Sequence, residues 1–100
     1  MTKRMETNAR KEQLLAAALR LAAKHGYAKL TRKQIAEEAG VSDTLLSLHF
    51  GTMVEFRRTL MRYAIKRGNA TVVAQGLADR NPYAKKAPAA LKAAALQAIA

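Results

Sequence analysis

The sequence lacks cysteine altogether, has few acidic residues and contains no long apolar run. Without cysteine it can form neither disulfides nor thiolate–metal sites, and a reducing cytoplasm suits such a chain. No apolar run approaches the roughly 18 residues of a membrane span, and no series of charged, apolar and small residues marks a secretory signal. Valine and isoleucine are scattered and strict apolar–polar alternation is missing, so strands are not expected. The absences predict an all-α, cytoplasmic protein without a membrane partner.

Patterns for catalysis and metal binding are also missing. The chain has two histidines and neither a glycine-rich phosphate loop nor a metal-ligand spacing. His25 lies where a helix should end and His49 beside the inward side of another, so capping and packing explain them better than proton transfer. Glu37 and Glu38 are adjacent, which turns them about 100° apart on a helix and rules out a carboxylate pair. We expect no enzyme, no metal and no cofactor.

The positive charge is what the sequence has in excess. Eighteen basic side chains against seven acidic ones give a net charge of +11 on 100 residues, of which 50% are apolar. This length makes one domain, and the apolar content is enough for a small core. A domain this basic is expected to bind a polyanion.

Start and stop signals divide the first two thirds of the chain into helices. Thr31 with Gln34 and Thr52 with Glu55 have the spacing of capping boxes, and Ser42 is a further good cap. Glycines follow each expected helix. The predicted helices of the DNA-binding domain, residues 1–68, are 9–25 (capped by Thr7 or Asn8), 32–39, 43–50 and 53–67.

The signal weakens after Gly68. Residues 70–78 are compatible with a short helix, the Asn81-Pro82 pair predicts a break, and residues 85–88 have the composition of a basic linker. Pro88 can open a last helix at its first position, with Leu91, Ala95 and Ile99 on one side. Residues 69–100 are therefore interpreted as a C-terminal helical extension and possible dimerisation segment.

Residues 31–51 carry the functional pattern. Gly40 must both end one short helix and release the next, Ala36 is small where two helices cross, and Val41 and Leu46 are apolar. This arrangement predicts a helix-turn-helix, whose second helix enters the major groove of DNA. The alternative is two ordinary helices of an all-α core.

A helical wheel gives the outward side of the second helix. With Leu46 and Phe50 inward, Thr44 and Leu48 lie opposite. The residues that would then read bases are Asp43, Thr44, Leu45, Ser47 and Leu48. No arginine or lysine lies between Ser42 and Gly51, and an exposed Leu48 equally suits a protein contact.

Basic residues flank this helix instead. They are the side chains suited to holding DNA phosphates. They lie in three groups: Lys3, Arg4, Arg10 and Lys11; Arg32 and Lys33; and Arg57, Arg58, Arg62, Lys66 and Arg67.

Residues 14–56, LLAAALRLAAKHGYAKLTRKQIAEEAGVSDTLLSLHFGTMVEF, resemble the N-terminal DNA-binding domain of TetR-family transcriptional regulators. The matching pieces include the segments 25–27 (HGY), 39–42 (AGVS) and 49–51 (HFG). The resemblance implies a three-helix head followed by a linking helix, and a homodimer on a partly palindromic operator.

The resemblance also implies roles for single residues. Thr31, Arg32 and Lys33 would contact the backbone and an adjacent base, the five outward residues of the second helix would face the groove, and His49 would touch phosphate. Lys3, Arg4, Arg10 and Thr52 complete the candidate DNA contacts. The family usually has tyrosine where Ser47 stands, lysine where Met53 stands, and glycine or proline where Thr44 stands.

The expected function is that of a sequence-specific transcriptional regulator, a repressor that dimerises through its C-terminal helices. Family members continue into a ligand-binding domain where this chain reaches Ala100, so we expect no small-molecule inducer pocket. Compact chains of this kind resemble regulators of phages or plasmids. Two alternatives are a protein-interaction adaptor built on the same scaffold and a phage DNA-packaging or replication recognition protein.

Overall fold

The computed structural model describes the backbone of residues 2–98 and the side chains of residues 8–98. Within this part of the chain the structure is all-α, as predicted, and contains no strand. A short 3-10 helix, Tyr27–Lys29, follows the first α-helix. The α-helices are α1 (Thr2–His25), α2 (Arg32–Ala39), α3 (Asp43–Phe50), α4 (Met53–Arg67), α5 (Ala70–Ala78), α6 (Pro82–Lys85) and α7 (Ala89–Ala98).

Helix α1 begins earlier than predicted. It starts at Thr2 rather than near residue 9, so Thr7 and Asn8 lie inside the helix and do not cap it. Residues 3–6 include lysine, arginine, methionine and glutamate, which all have high helix propensity. With no glycine or proline among them, the helix continues through the two residues that would otherwise have begun it.

Helices α2, α3 and α4 have the bounds that their local signals predict. The Thr31 hydroxyl accepts a bond from the Gln34 backbone N–H at 3.2 Å, and the Gln34 Oε1 accepts one from the Thr31 N–H at 3.0 Å. The Thr52 hydroxyl accepts in the same way from the Glu55 N–H at 3.2 Å. At the other end of α2, Gly40 has a φ of 70°, a left-handed conformation that favours glycine.

The region after α5 differs from the prediction of a break followed by a basic linker. Residues 82–85 form the single-turn helix α6, because the Asn81 Oδ1 accepts bonds from the backbone N–H groups of Tyr83 and Ala84 at 2.9 and 3.1 Å. Ala84 and Ala87 are buried, so tertiary packing holds this segment. The final helix begins at Ala89, one residue later than predicted. Ile99 lies outside the described residues.

The core is shared by the first four helices and the C-terminal ones. Its largest fully buried side chains come from α1 to α5 and from Leu30, and α6 and α7 add Ala84 and Ala95 to the same cluster. The large core residues are Phe56, Leu14, Leu30, Ile35, Leu46, Leu60, Met61, Val72 and Val73. Helix α5 therefore packs on α1 and α4, α6 packs on α4 and α5, and α7 packs on α5.

Hydrogen bonds from α5 also fix the turn that precedes α2. The Gln75 Nε2 donates to the Ala22 carbonyl at 2.7 Å, and the Gln75 Oε1 accepts from the Tyr27 backbone N–H at 2.9 Å. The Tyr27 hydroxyl donates to the Asp79 carboxylate at 2.9 Å. Burial, together with this bond to Asp79, raises the pKa of Tyr27. The hydroxyl therefore stays protonated and keeps donating throughout the neutral range.

None of the described helices combines the length and the apolar character needed to cross a membrane.

Candidate nucleic-acid interface

The turn between α2 and α3 is closed by backbone and side-chain hydrogen bonds. The Val41 N–H donates to the Ala36 carbonyl at 2.9 Å and the Gly40 N–H to the Glu37 carbonyl at 3.2 Å. This pair of bonds is the Schellman arrangement at a helix end. The Ser42 hydroxyl then accepts from the Leu45 N–H at 3.2 Å and caps α3. The angle between the two helices is thus fixed by the chain itself.

The inner side of α3 is held against the core. Leu46 is 1% exposed, and the partly buried Phe50 packs its ring edge-on against Phe56 of α4, with 5.0 Å between the ring centroids. Aromatic pairs in this geometry contribute about 0.5–1.5 kcal/mol beyond the area they bury. Rotation of α3 about its own axis would break both contacts, so the residues on its other side have a defined direction.

The outer side of α3 is open, as the helical wheel predicts. Asp43 and Thr44 are exposed, Leu45 and Ser47 are partly exposed, and Leu48 is 78% exposed. The structure therefore places all five candidate base-reading residues on a surface that the C-terminal helices leave uncovered.

The N-terminus of α2 supplies the second group of candidate residues. Thr31 and Lys33 are exposed and Arg32 is partly buried, with its Nε making no hydrogen bond within the described part of the chain. The first turn of α2 contains no acidic residue. A cation at this positive end of a helix dipole costs stability, typically about 0.3–1 kcal/mol each, whereas it adds to the attraction for an anion.

The remaining candidates are less well placed or already engaged. His49 is partly buried beside the Phe50 ring, and Arg10 is exposed on α1. The Thr52 hydroxyl donates to the Glu55 carboxylate at 3.1 Å, so a phosphate contact would compete with the cap of α4. The side chains of Lys3 and Arg4 lie outside the described residues.

A comparison of the sequence with protein-family models decides what this arrangement is. Residues 14–59 match the family described as bacterial regulatory proteins, tetR family. They form a TetR-family N-terminal helix-turn-helix domain. The family is one of DNA-binding transcription regulators rather than enzymes. No match was found among curated proteins or solved structures.

The match runs from within α1 into α4, so the TetR-family domain contains α2, α3 and most of the candidate DNA contacts. The positions where the family usually has tyrosine and lysine hold Ser47, which is partly exposed, and Met53, which packs partly buried against the core. Neither can place a positive charge on a phosphate.

Some basic residues of α4 have contacts within the molecule that the sequence did not reveal. The Arg57 Nη2 donates to the Leu30 carbonyl at 3.3 Å, which links α4 to the residue before the cap of α2. The guanidinium of Arg62 lies 5.9 Å from the Tyr83 ring centroid, a cation–π distance. Their partners are 27 and 21 residues away in the chain, so no local pattern could have identified them.

An ion pair joins α1 and α2 of the TetR-family domain. The Arg20 Nε of α1 lies 3.3 Å from the Glu38 carboxylate of α2, and both side chains are exposed. Such a pair contributes about 0–1 kcal/mol. The pair neutralises Glu38, one of the two acidic residues of α2, so Glu38 does not offset the charge of Lys33.

The described residues hold no cluster of three or more histidine, cysteine or carboxylate side chains that could bind a metal ion.

An open groove of about 430 Å³ lies between α4 and the α5–α6 turn, lined by Tyr27, Arg58 and Tyr83 among others. The expectation that the chain has no inducer pocket stays a prediction.

Proposed function

We propose that this chain is a sequence-specific double-stranded DNA-binding transcriptional regulator, and that it represses by binding its operator as a homodimer. The observation that carries the proposal is the open outer side of α3 together with Arg32 and Lys33 at the start of α2, neither of which forms an ion pair within the described residues. The packing of α5 to α7 on the other side of the domain leaves this surface uncovered.

In the proposed complex α3 lies in the major groove and the N-terminus of α2 faces the sugar–phosphate backbone. Arg32 and Lys33, together with the backbone N–H groups of the first turn, would attract phosphate, and Thr31 would support the contact. Asp43, Thr44, Leu45, Ser47 and Leu48 would meet the base edges. His49 and Arg10 would add contacts at the margin.

The homodimer is proposed because one α3 offers few base contacts. Two copies related by a two-fold axis would read two half-sites about 34–36 Å apart, one helical turn of DNA. The C-terminal helices are the proposed contact, and Leu96 of α7 is 57% exposed there. A dimer seated across a promoter would block access to it, which is the proposed basis of repression.

Salt titration tests the DNA-binding part of the proposal. Affinity for a random duplex should fall steeply, with log affinity linear in log salt, because phosphate contacts release counterions. A duplex selected from a random pool should bind more tightly than the random one at every salt concentration. Solution mass with and without that duplex tests the homodimer, and a reporter gene under the selected sequence tests repression. Binding that is negligible even at low salt would rule the proposal out.

A second candidate function is a protein-interaction adaptor, which the exposure of Leu48 favours. An adaptor would bind its partner through the outer side of α3 and would show no salt-dependent affinity for duplex DNA.

Footprinting on the DNA upstream of the gene for this chain separates a regulator from a packaging or replication protein, since only the regulator is expected to protect that region.

A further inference from the structure

We infer that Leu48 recognises the C5-methyl group of thymine, so that the preferred DNA has a thymine at the base step which Leu48 contacts. The inference rests on the proposed DNA binding and specifies what the outer side of α3 reads. It concerns the choice of sequence, whereas the cations of α2 concern affinity for any duplex.

Helix α3 lacks the side chains that most often recognise bases. Arginine or lysine reads guanine and asparagine or glutamine reads adenine through paired hydrogen bonds in the major groove. None of these four residue types occurs from Ser42 to Gly51. The outer side of α3 therefore offers two hydroxyls, one carboxylate and apolar groups, and cannot make the paired bonds on which most base recognition depends.

Leu48 offers an exposed apolar side chain. It is 78% exposed and lies one helical turn after the exposed Thr44. Residues four apart share one side of a helix, so Leu48 and Thr44 lie on the same outer side of α3. The only apolar group that the four natural base pairs present in the major groove is the thymine methyl.

The packing of α3 fixes its orientation. Leu46 and Phe50 lie two residues before and two residues after Leu48. Leu46 is buried in the core, and Phe50 packs against Phe56. The direction of Leu48 is therefore set before DNA arrives, and its contact with one base step is reproducible from complex to complex. Leu48 should therefore contact one defined base position rather than any apolar surface of the DNA.

The test replaces thymine with uracil, which lacks only the methyl group. The full chain first selects a duplex from a random pool, and the selected duplex is then synthesised with uracil at one thymine position at a time. At the contacted position the dissociation constant should rise about fourfold, the value of one buried methyl group, and it should stay unchanged elsewhere. The slope of affinity against salt should not change, because no phosphate contact is altered.

Two protein variants complete the test. Leu48→Ala should bind the thymine and uracil duplexes equally, and its fold should be intact because the side chain is exposed. Val54→Ala, which truncates an apolar side chain that is 57% exposed on α4 and outside the proposed dimer contact, should keep the full difference between the two duplexes.

The outcomes separate the two proposals. If the parent binds a selected duplex in a salt-dependent way but treats thymine and uracil alike at every position, the inference about Leu48 is wrong and the proposed function stands. If Leu48→Ala keeps the fourfold difference, another residue reads the methyl group and the inference is again wrong. If no duplex is bound at any salt concentration, both proposals fail.

Discussion

Replacing Lys33 with alanine removes one positive charge from the first turn of α2, where the side chain is exposed. If Lys33 contacts phosphate, the variant should bind every duplex more weakly, whatever its sequence. The fold should not suffer, since a cation at a helix N-terminus is unfavourable and alanine is the best helix former. Weaker binding by a protein of equal or higher stability would therefore report the lost contact itself.

The size of the effect follows from counterion release. Each phosphate contact adds about 0.9 to the slope of log affinity against log salt. Between about 50 and 200 mM salt, a fourfold range, one contact accounts for roughly a 3.5-fold loss of affinity. The parent should thus lose about 3.5 times more affinity over this range than Lys33→Ala does.

The assay is fluorescence anisotropy of a labelled random duplex over that salt range, with Lys66→Ala as the matched control. Lys66 is also an exposed lysine on a helix, so both variants carry the same net charge. It lies in the last turn of α4, about 20 Å along the helix from the end that adjoins α3, which is beyond the screening length of roughly 10 Å. The sequence groups Lys66 with the side chains suited to holding phosphates, but this distance from α3 places it outside the proposed interface, so its loss should leave the slope unchanged.

Equal changes of slope in the two variants would refute the reasoning, because the affinity would then depend on overall charge and not on a contact at α2. An unchanged slope in Lys33→Ala would remove this residue from the interface.

The other predictions concern stability and are measured by urea unfolding. Gly76→Ala should destabilise the protein by about 1–2 kcal/mol although alanine favours helices, because the new Cβ would lie 2.8 Å from the buried Ala84 Cβ. Arg80→Gly should raise the free energy of unfolding by about 1 kcal/mol, since Arg80 has a φ of 58°, in the left-handed region. Glu55 accepts hydrogen bonds from the Thr52 N–H and hydroxyl, which lower its pKa, so its contribution to stability should be present above the unfolded pKa and disappear as the pH falls through the folded value. Glu55→Gln keeps the cap geometry and should therefore lose less stability than the parent between about pH 6 and pH 3. A parallel loss in the two proteins would contradict this assignment.

The part of the fold that sequence could predict is the part whose signals are local. Helices α2, α3 and α4 are preceded by the caps Thr31, Ser42 and Thr52, each of which caps its helix through a hydroxyl, and each helix is followed by glycine. Thr7 shows the limit of this reasoning, because a good cap residue is passed over when the residues before it also favour helix. The open outer side of α3 was predictable for the same local reason. The helical period, with Leu46 and Phe50 facing inward, determines which residues face outward.

What sequence could not predict depends on contacts between distant residues. The α6 turn contains proline and lysine and has a linker-like composition, and only the burial of Ala84 and Ala87 shows that it is packed. The bond from Tyr27 to Asp79 joins residues 52 apart. The use of Arg57 to hold the Leu30 carbonyl likewise has no signature in the order of residues.

The bonds from Gln75 and Asp79 to the segment around Tyr27 have a consequence for dissecting the molecule. The matched TetR-family stretch ends at residue 59, before α4 is complete and before α5, whose side chains secure the approach to α2. An excised peptide covering only that stretch would lose those ties and also the core side chains Leu60, Met61, Val72 and Val73. The recognisable motif and the smallest piece that folds independently are therefore different objects in this protein, and a truncation meant to isolate DNA recognition should retain residues through at least 81.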